Sequence, residues 1–151
     1  MSDSSPAAFT PERRRTLQAV VERILPGTDG PGAAETAVVV GFERAVQHRS
    51  LRGLRPGIDK ILDLLESQAG AMHERGFSAC APDAQDDLLR ALEDDQNPMI
   101  RFLFRCLIEF SVEALLGDPV HGGNRDSLGW KAIGLETEYV RAGMCLEARE
   151  G

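Results

Sequence analysis

Aromatic residues are scarce in this chain: they make up 5% of it, with one tryptophan, one tyrosine and six phenylalanines. A core built from such a sequence must rest on Leu, Val, Ile and Ala. Cysteine is also rare. Cys80, Cys106 and Cys145 lie far apart, with no Cys-x-x-Cys spacing, which excludes a disulfide framework and a zinc site of the usual kinds. Cys106 falls in an apolar helical run and reads as a small core hydrophobe. Cys80 and Cys145 lack the basic surroundings that activate a thiolate. This usage suits a reducing compartment. No apolar run approaches the ~20 residues of a membrane span, so direct membrane insertion is not expected. Positive charge is short as well, and the formal net charge is -7. That argues against nucleic acid as a partner and against an electrostatic grip on anionic lipid. Arg13-Arg14-Arg15 invites a twin-arginine reading, but the following Leu17-Gln18-Ala19-Val20-Val21-Glu22-Arg23 places charges where a signal peptide needs an unbroken apolar core. With no export signal visible, the sequence reads as cytoplasmic.

What is present is enough for one folded domain. A chain of 151 residues, 42% hydrophobic, can bury about 70% of its extended-chain surface without covalent staples. Residues 1–9 read as a flexible start, 10–135 as a helical domain and 136–151 as a tail of weak periodicity. Thr10-Pro11 is a cap followed by proline at the first helical position. Leu17, Val20, Val21, Ile24 and Leu25 then share one face, and Pro26-Gly27 stops the helix. A second helix is predicted from about Ala34 to His48, although its run of valines also suits a strand. Pro56-Gly57 opens a third, with Ile58, Ile61, Leu62, Leu65, Ala69 and Met72 inward and Gly76 as its end. Pro82 opens a short fourth, with Leu88, Leu89 and Leu92 inward and Asp83, Asp86 and Asp87 near its positive end. Asn97-Pro98 starts a fifth that is apolar almost all round and closes at Gly117. Such a helix is the centre of a bundle or is covered by a partner on its second side. His48 and His73 fall on charged helix ends and are expected to be exposed. The fold class is all-α: a small, irregular, orthogonal bundle of about five helices with a glycine-rich C-terminal loop.

That loop is the most informative segment. Asp118-Pro119-Val120-His121-Gly122-Gly123-Asn124-Arg125-Asp126 runs on into Gly129-Trp130-Lys131-Ala132-Ile133-Gly134. A solvated loop rarely spends the chain's one tryptophan beside so many permissive residues. The segment reads as a loop of fixed shape, with Trp130 as its anchor rather than a cofactor-stacking platform, and with an interface hot spot as its other role. Asp118 is expected to bond nearby backbone, and Asn124 to tolerate an unusual backbone angle. A calcium site does not fit the spacing of Asp118, His121, Asn124 and Asp126, and no glutamate closes it. His121 as a general base has no serine or cysteine at recognisable spacing. Gly122-Gly123 as a phosphate cradle lacks the following lysine and helix frame.

One further pattern lies in the fifth helix. Arg101, Arg105, Glu109 and Glu113 recur every four residues on one stripe. Their order, cations first and anions last, opposes the helix macrodipole. The plain reading is a solvated face with intrahelical pairs. The functional one is a stripe matched to a partner or to the glycine-rich loop. No complete catalytic constellation emerges from the residues, and a binding role is favoured over an enzymatic one.

The chain resembles the gluconate 2-dehydrogenase subunit 3 family. The resemblance rests on Asp118-Pro119-x-His121-Gly122-Gly123-Asn124 and Gly129-Trp130-Lys131-x-Ile133-Gly134, with support from Ile24-Leu25-Pro26-Gly27 and the pattern from Pro82 to Leu92. It implies a small, mostly helical, non-catalytic subunit of a flavin-dependent sugar or polyol dehydrogenase. The FAD and the catalytic residues are then expected on a large partner of the glucose-methanol-choline (GMC) oxidoreductase type, with a multihaem cytochrome c subunit often completing the complex. No cofactor, metal or catalytic residue is expected on this chain. His121 stands where the family usually has tyrosine. Many members carry a twin-arginine signal, so a periplasmic location here implies export together with a signal-bearing partner. The residues expected to shape the loop or the interface are Asp118, Pro119, His121, Gly122, Gly123, Asn124, Trp130, Arg101 and Arg105. Two other classes remain open: a free-standing helical regulator that binds other proteins, and a small metal-binding enzyme.

Overall fold

The computed structural model describes residues 9–27, 30–48 and 51–135. Six α-helices occur there: α1 (Pro11–Ile24), α2 (Val38–Gln47), α3 (Arg55–His73), α4 (Pro82–Glu93), α5 (Pro98–Leu116) and α6 (Leu128–Ala132). Short 3-10 turns fall at Arg52–Leu54, Phe77–Ala79, Pro119–His121 and Arg125–Ser127. No strand is present among the described residues, and no helix there is long and apolar enough to cross a membrane. The expected all-α bundle is what forms. The expected tail, 136–151, and residues 1–8 of the expected flexible start lie outside the described residues.

The punctuation of the sequence sets most boundaries. Thr10 Oγ1 accepts from the Arg13 amide and Pro11 takes the first helical position of α1. Asn97 Oδ1 accepts from the Met99 amide at 2.9 Å and Pro98 opens α5. Each cap satisfies one of the orphan amides that a helix start leaves. Helix α5 is the hub. It touches α1, α2, α3, α4 and α6, and it buries Leu103, Phe104, Cys106, Leu107, Phe110 and Ser111. Around it close Leu17, Val20 and Val21 of α1, Phe42 and Val46 of α2, Ile58, Ile61, Leu62 and Leu65 of α3, and Leu88 and Leu92 of α4. Burial pushes the Cys106 thiol up, which suits its place as a core hydrophobe.

Five expectations are corrected. Phe9 belongs to the core, not to a frayed start: it is 6% exposed, its ring lies 6.3 Å from that of Phe42, and the Arg55 guanidinium stacks over it at 3.9 Å. Helix α2 begins at Val38 rather than near Ala34, because Ala37 takes a left-handed backbone (φ 55°) and Thr36 Oγ1 turns back to the Gly32 carbonyl at 2.9 Å. Helix α3 ends at His73, with Glu74 in the left-handed region, so Gly76 lies beyond the helix. Met72, placed inward by periodicity, is 68% exposed, because it sits in the last turn, where the core no longer follows the helix. His73 is half-buried rather than exposed, unlike His48.

Ion pairs strap α1 to its neighbours. Arg13 makes a bidentate contact with Asp63 (2.9 and 2.6 Å) and lies 3.4 Å from Asp59. Arg14 pairs with Glu43 at 3.2 Å. Arg23 grips Asp86 of α4 through two 2.7 Å bonds. The hydrogen bonds from Arg13 and Arg23 hold Asp63 and Asp86 below the ordinary carboxylate range. A depressed folded-state pKa gives stability that is present above the unfolded value, about 3.9, and is lost as the pH falls through the folded one. Melting temperature should therefore drop below about pH 4, and Asp86→Asn should lower it at neutral pH while making it less sensitive to acid. Both pairs are solvent-screened, so the effect is modest. Parallel melting-temperature profiles for wild type and variant across that range would remove α1–α4 pairing from the account.

Candidate functional site

An α-helix leaves its last carbonyls without intrahelical partners. At the end of α5 the glycine-rich loop supplies them. Leu116 O accepts from the Trp130 indole Nε1, and Gly117 O accepts from Asn124 Nδ2 at 2.8 Å. Asn124 Oδ1 in turn accepts from the Gly129 amide at 2.7 Å. Asn124 is 0% exposed and sits in the left-handed region (φ 48°), a conformation that asparagine tolerates better than most residues. One side chain thus joins the end of α5 to the start of α6. Asp118 starts the loop by accepting from the Val120 amide at 2.9 Å. The Arg125 amide donates to Thr36 O at 3.0 Å, which ties the loop to the segment ahead of α2.

Close approach makes these bonds reachable. Gly123 and Gly129 lie so near the Ala114 and Leu115 carbonyls that a Cβ on either would collide with the oxygen. Gly41 of α2 faces Gly123 from the other side, where its own Cβ would lie 2.9 Å from the Gly123 Cα. The need for a positive φ falls on Gly122 (φ 97°), not on Gly123. The two adjacent glycines therefore do different work: one turns the chain, the other makes room.

Trp130 is 3% exposed. It shapes the loop from inside, and in this chain the indole is not on the outer surface. As the one tryptophan, it reports on the loop directly. Its emission should be short-wavelength in the folded chain and should move red when the loop detaches from α5. Trp130→Phe, which keeps an aromatic ring but removes the donor to Leu116 O and part of the buried indole, should cost at least about 1 kcal/mol by chemical denaturation. An unchanged denaturation midpoint would show that the bond contributes nothing.

The loop, α2 and the end of α5 together enclose a cleft of about 430 Å³. Gly41, Ala45, Phe110 and Ala114 give it an apolar floor, and Arg44, His48, Glu113, Asp118 and His121 a polar rim. Arg44 Nη1 leans on Val120 O at 3.5 Å. Val120 is 71% exposed at the lip. Among the described residues the lining includes no hydroxyl or thiol nucleophile. Among the described residues no group of three or more His, Cys, Asp or Glu could hold a metal ion.

The expected site residues divide by depth. Asn124, Gly123 and Trp130 are buried, Asp118, Pro119 and Gly122 half-buried, and His121 exposed. Asp118, His121 and Gly123 line the cleft. Arg101 and Arg105 do not. They are exposed on the first half of α5, and Glu113 is the member of their stripe that reaches the loop. Sequence reasoning missed Arg44 and His48, which come from a different helix. The available signal was Gly41: a glycine inside a helix costs about 1 kcal/mol against alanine and often marks a close backbone approach.

The profile of the family described as Gluconate 2-dehydrogenase subunit 3 matches residues 11–136. No curated protein and no solved structure matches the chain significantly. The matched span runs from the first residue of α1 past the Trp130 anchor, so it covers the whole bundle and the loop that caps it. The chain belongs to the gluconate 2-dehydrogenase subunit 3 family, a subunit of a dehydrogenase complex.

Proposed function

We propose that this chain is a non-catalytic auxiliary subunit that binds and stabilises a large FAD-dependent, GMC-type dehydrogenase acting on a sugar, sugar acid or glycoside. The family match over residues 11–136 carries the reading. The cleft supports it: an apolar floor with a mixed-charge rim suits capture of a partner segment. Asp118, Pro119, His121 and Gly122 provide the outer surface of the loop, with Val120 as an apolar tip. Asn124, Gly123 and Trp130 hold that surface in one shape. The mechanism is linkage: a subunit that binds only the folded flavoprotein stabilises it by mass action. Flavin and catalytic residues reside on the partner, a cytochrome c subunit accepts its electrons where present, and the compartment is the partner's own.

Co-expression with the neighbouring reading frame tests this. The expected product is a yellow complex that reduces dye in the presence of sugar only when both chains are made. A flavoprotein that is equally abundant and active without this chain, or failure of any flavoprotein to co-purify with it, would overturn the reading.

A further inference from the structure

Helix α5 is the hub of the bundle, yet its outer face is not a plain polar one. Phe102 is 48% exposed and Val112 37%. Between and beside them lie Arg101, Arg105, Glu109 and Glu113, all exposed. The i, i+4 spacing of Arg105 with Glu109, and of Glu109 with Glu113, allows only the first to pair within the helix. No ion pair involving Arg105, Glu109 or Glu113 occurs among the described residues. Arg101 directs Nη1 to the Asp95 and Gln96 carbonyls, and its guanidinium keeps further donors.

The face has a hidden symmetry. Arg101 and Glu113 stand equally far on either side of position 107, Arg105 and Glu109 equally far at shorter range, and Phe102 and Val112 equally far again. A two-fold axis perpendicular to the helix at that level, lying against its exposed side, sets each cation of the stripe level with an anion of a second copy. The stripe spans about 18 Å at 1.5 Å per residue, enough for one helix–helix crossing.

We infer that the outer face of α5 pairs antiparallel with the same face of a second copy of this chain. Arg101 then meets Glu113 of the second copy and Arg105 meets its Glu109 where the two i, i+4 ridges cross at about 50°, with Phe102 and Val112 flanking the charged ridge. Such a contact is isologous, each pair occurring twice about the axis. It also accounts for the order of charge along α5. Cations near the N-terminus of a lone helix oppose its dipole, but in the antiparallel pair they lie beside the negative end of the other helix. Opposite charges across the axis fix the register, and the parallel arrangement, which sets like charges together, is disfavoured.

The test is a reciprocal charge swap on the full chain, read by light scattering after size exclusion. Wild type should elute at about twice 16.4 kDa. Arg101→Glu with Arg105→Glu makes the stripe wholly acidic, and Glu109→Arg with Glu113→Arg makes it wholly basic. Each double variant should run as a monomer with unchanged helicity, and mixing the two should restore the dimeric mass as a heterodimer. Two differently tagged wild-type copies made in one cell should co-purify, whereas two acidic-stripe copies should not. A wild type that stays monomeric at every soluble concentration would overturn the inference. So would dimers that survive both swaps, or monomeric variants that fail to combine when mixed.

Discussion

Gly123→Val and Gly129→Ala should each lower the melting temperature by about 10 °C. In both, the new Cβ would fall on a backbone carbonyl of the last turn of α5, Ala114 O for the first and Leu115 O for the second. These oxygens belong to the hub helix and cannot swing aside as a side-chain tip can. The loop must instead lift, which surrenders the Trp130 and Asn124 bonds with it. Overpacking costs typically 1–3 kcal/mol and sometimes more, and with the lost bonds about 3 kcal/mol is expected. For a domain near this size each kilocalorie moves the midpoint by roughly 2–4 °C. Gly53→Ala is the control, since nothing lies within 4 Å of its added Cβ. If Gly123→Val melts within a degree or two of Gly53→Ala, the close packing of loop on helix is wrong.

Asn124→Ala should be comparably damaging, for a different reason. It strips partners from the Gly117 carbonyl and the Gly129 amide at once. An unmade bond to a buried polar group costs about 1–3 kcal/mol, so the pair should cost about 2–6 kcal/mol by urea titration. Asn124→Gly separates this from backbone strain. Glycine accepts the left-handed angle freely, so any stability that Asn124→Gly recovers over Asn124→Ala measures the angle, and the remaining deficit measures the bonds. A glycine variant as stable as wild type would mean that the side chain contributes only by tolerating its angle.

Much of this arrangement was legible in the sequence because it is written in local signals. Thr10-Pro11 and Asn97-Pro98 announce helix starts through the chemistry of orphan amides, and both sit where that chemistry requires. The alternation of Leu, Ile and Val at helical spacing located the core faces of α1, α3 and α4. The density of glycine around one tryptophan marked a shaped loop. What escaped depends on contacts between distant segments. Phe9 looked like part of a polar start because its partners, Phe42 and Arg55, are elsewhere in the chain. Met72 continued the apolar period of α3 past the point where the core ends. Ala37 broke α2 in a left-handed turn that no alanine advertises. The cleft joins α2, the end of α5 and the loop, and no spacing rule relates Arg44 to Asp118 or His121 across such separations. Nor does the glycine pair reveal its division of labour, in which Gly123 supplies space and Gly122 the positive φ.

The loop's role as a docking element is tested most directly by amide hydrogen exchange on the free chain and on its complex with the flavoprotein. The account predicts slowed exchange on binding at Val120 and His121 and at Arg44, Ala45 and His48, which line the cleft. Exchange there that is identical in the free and bound chain, with protection appearing on some other face, would contradict it.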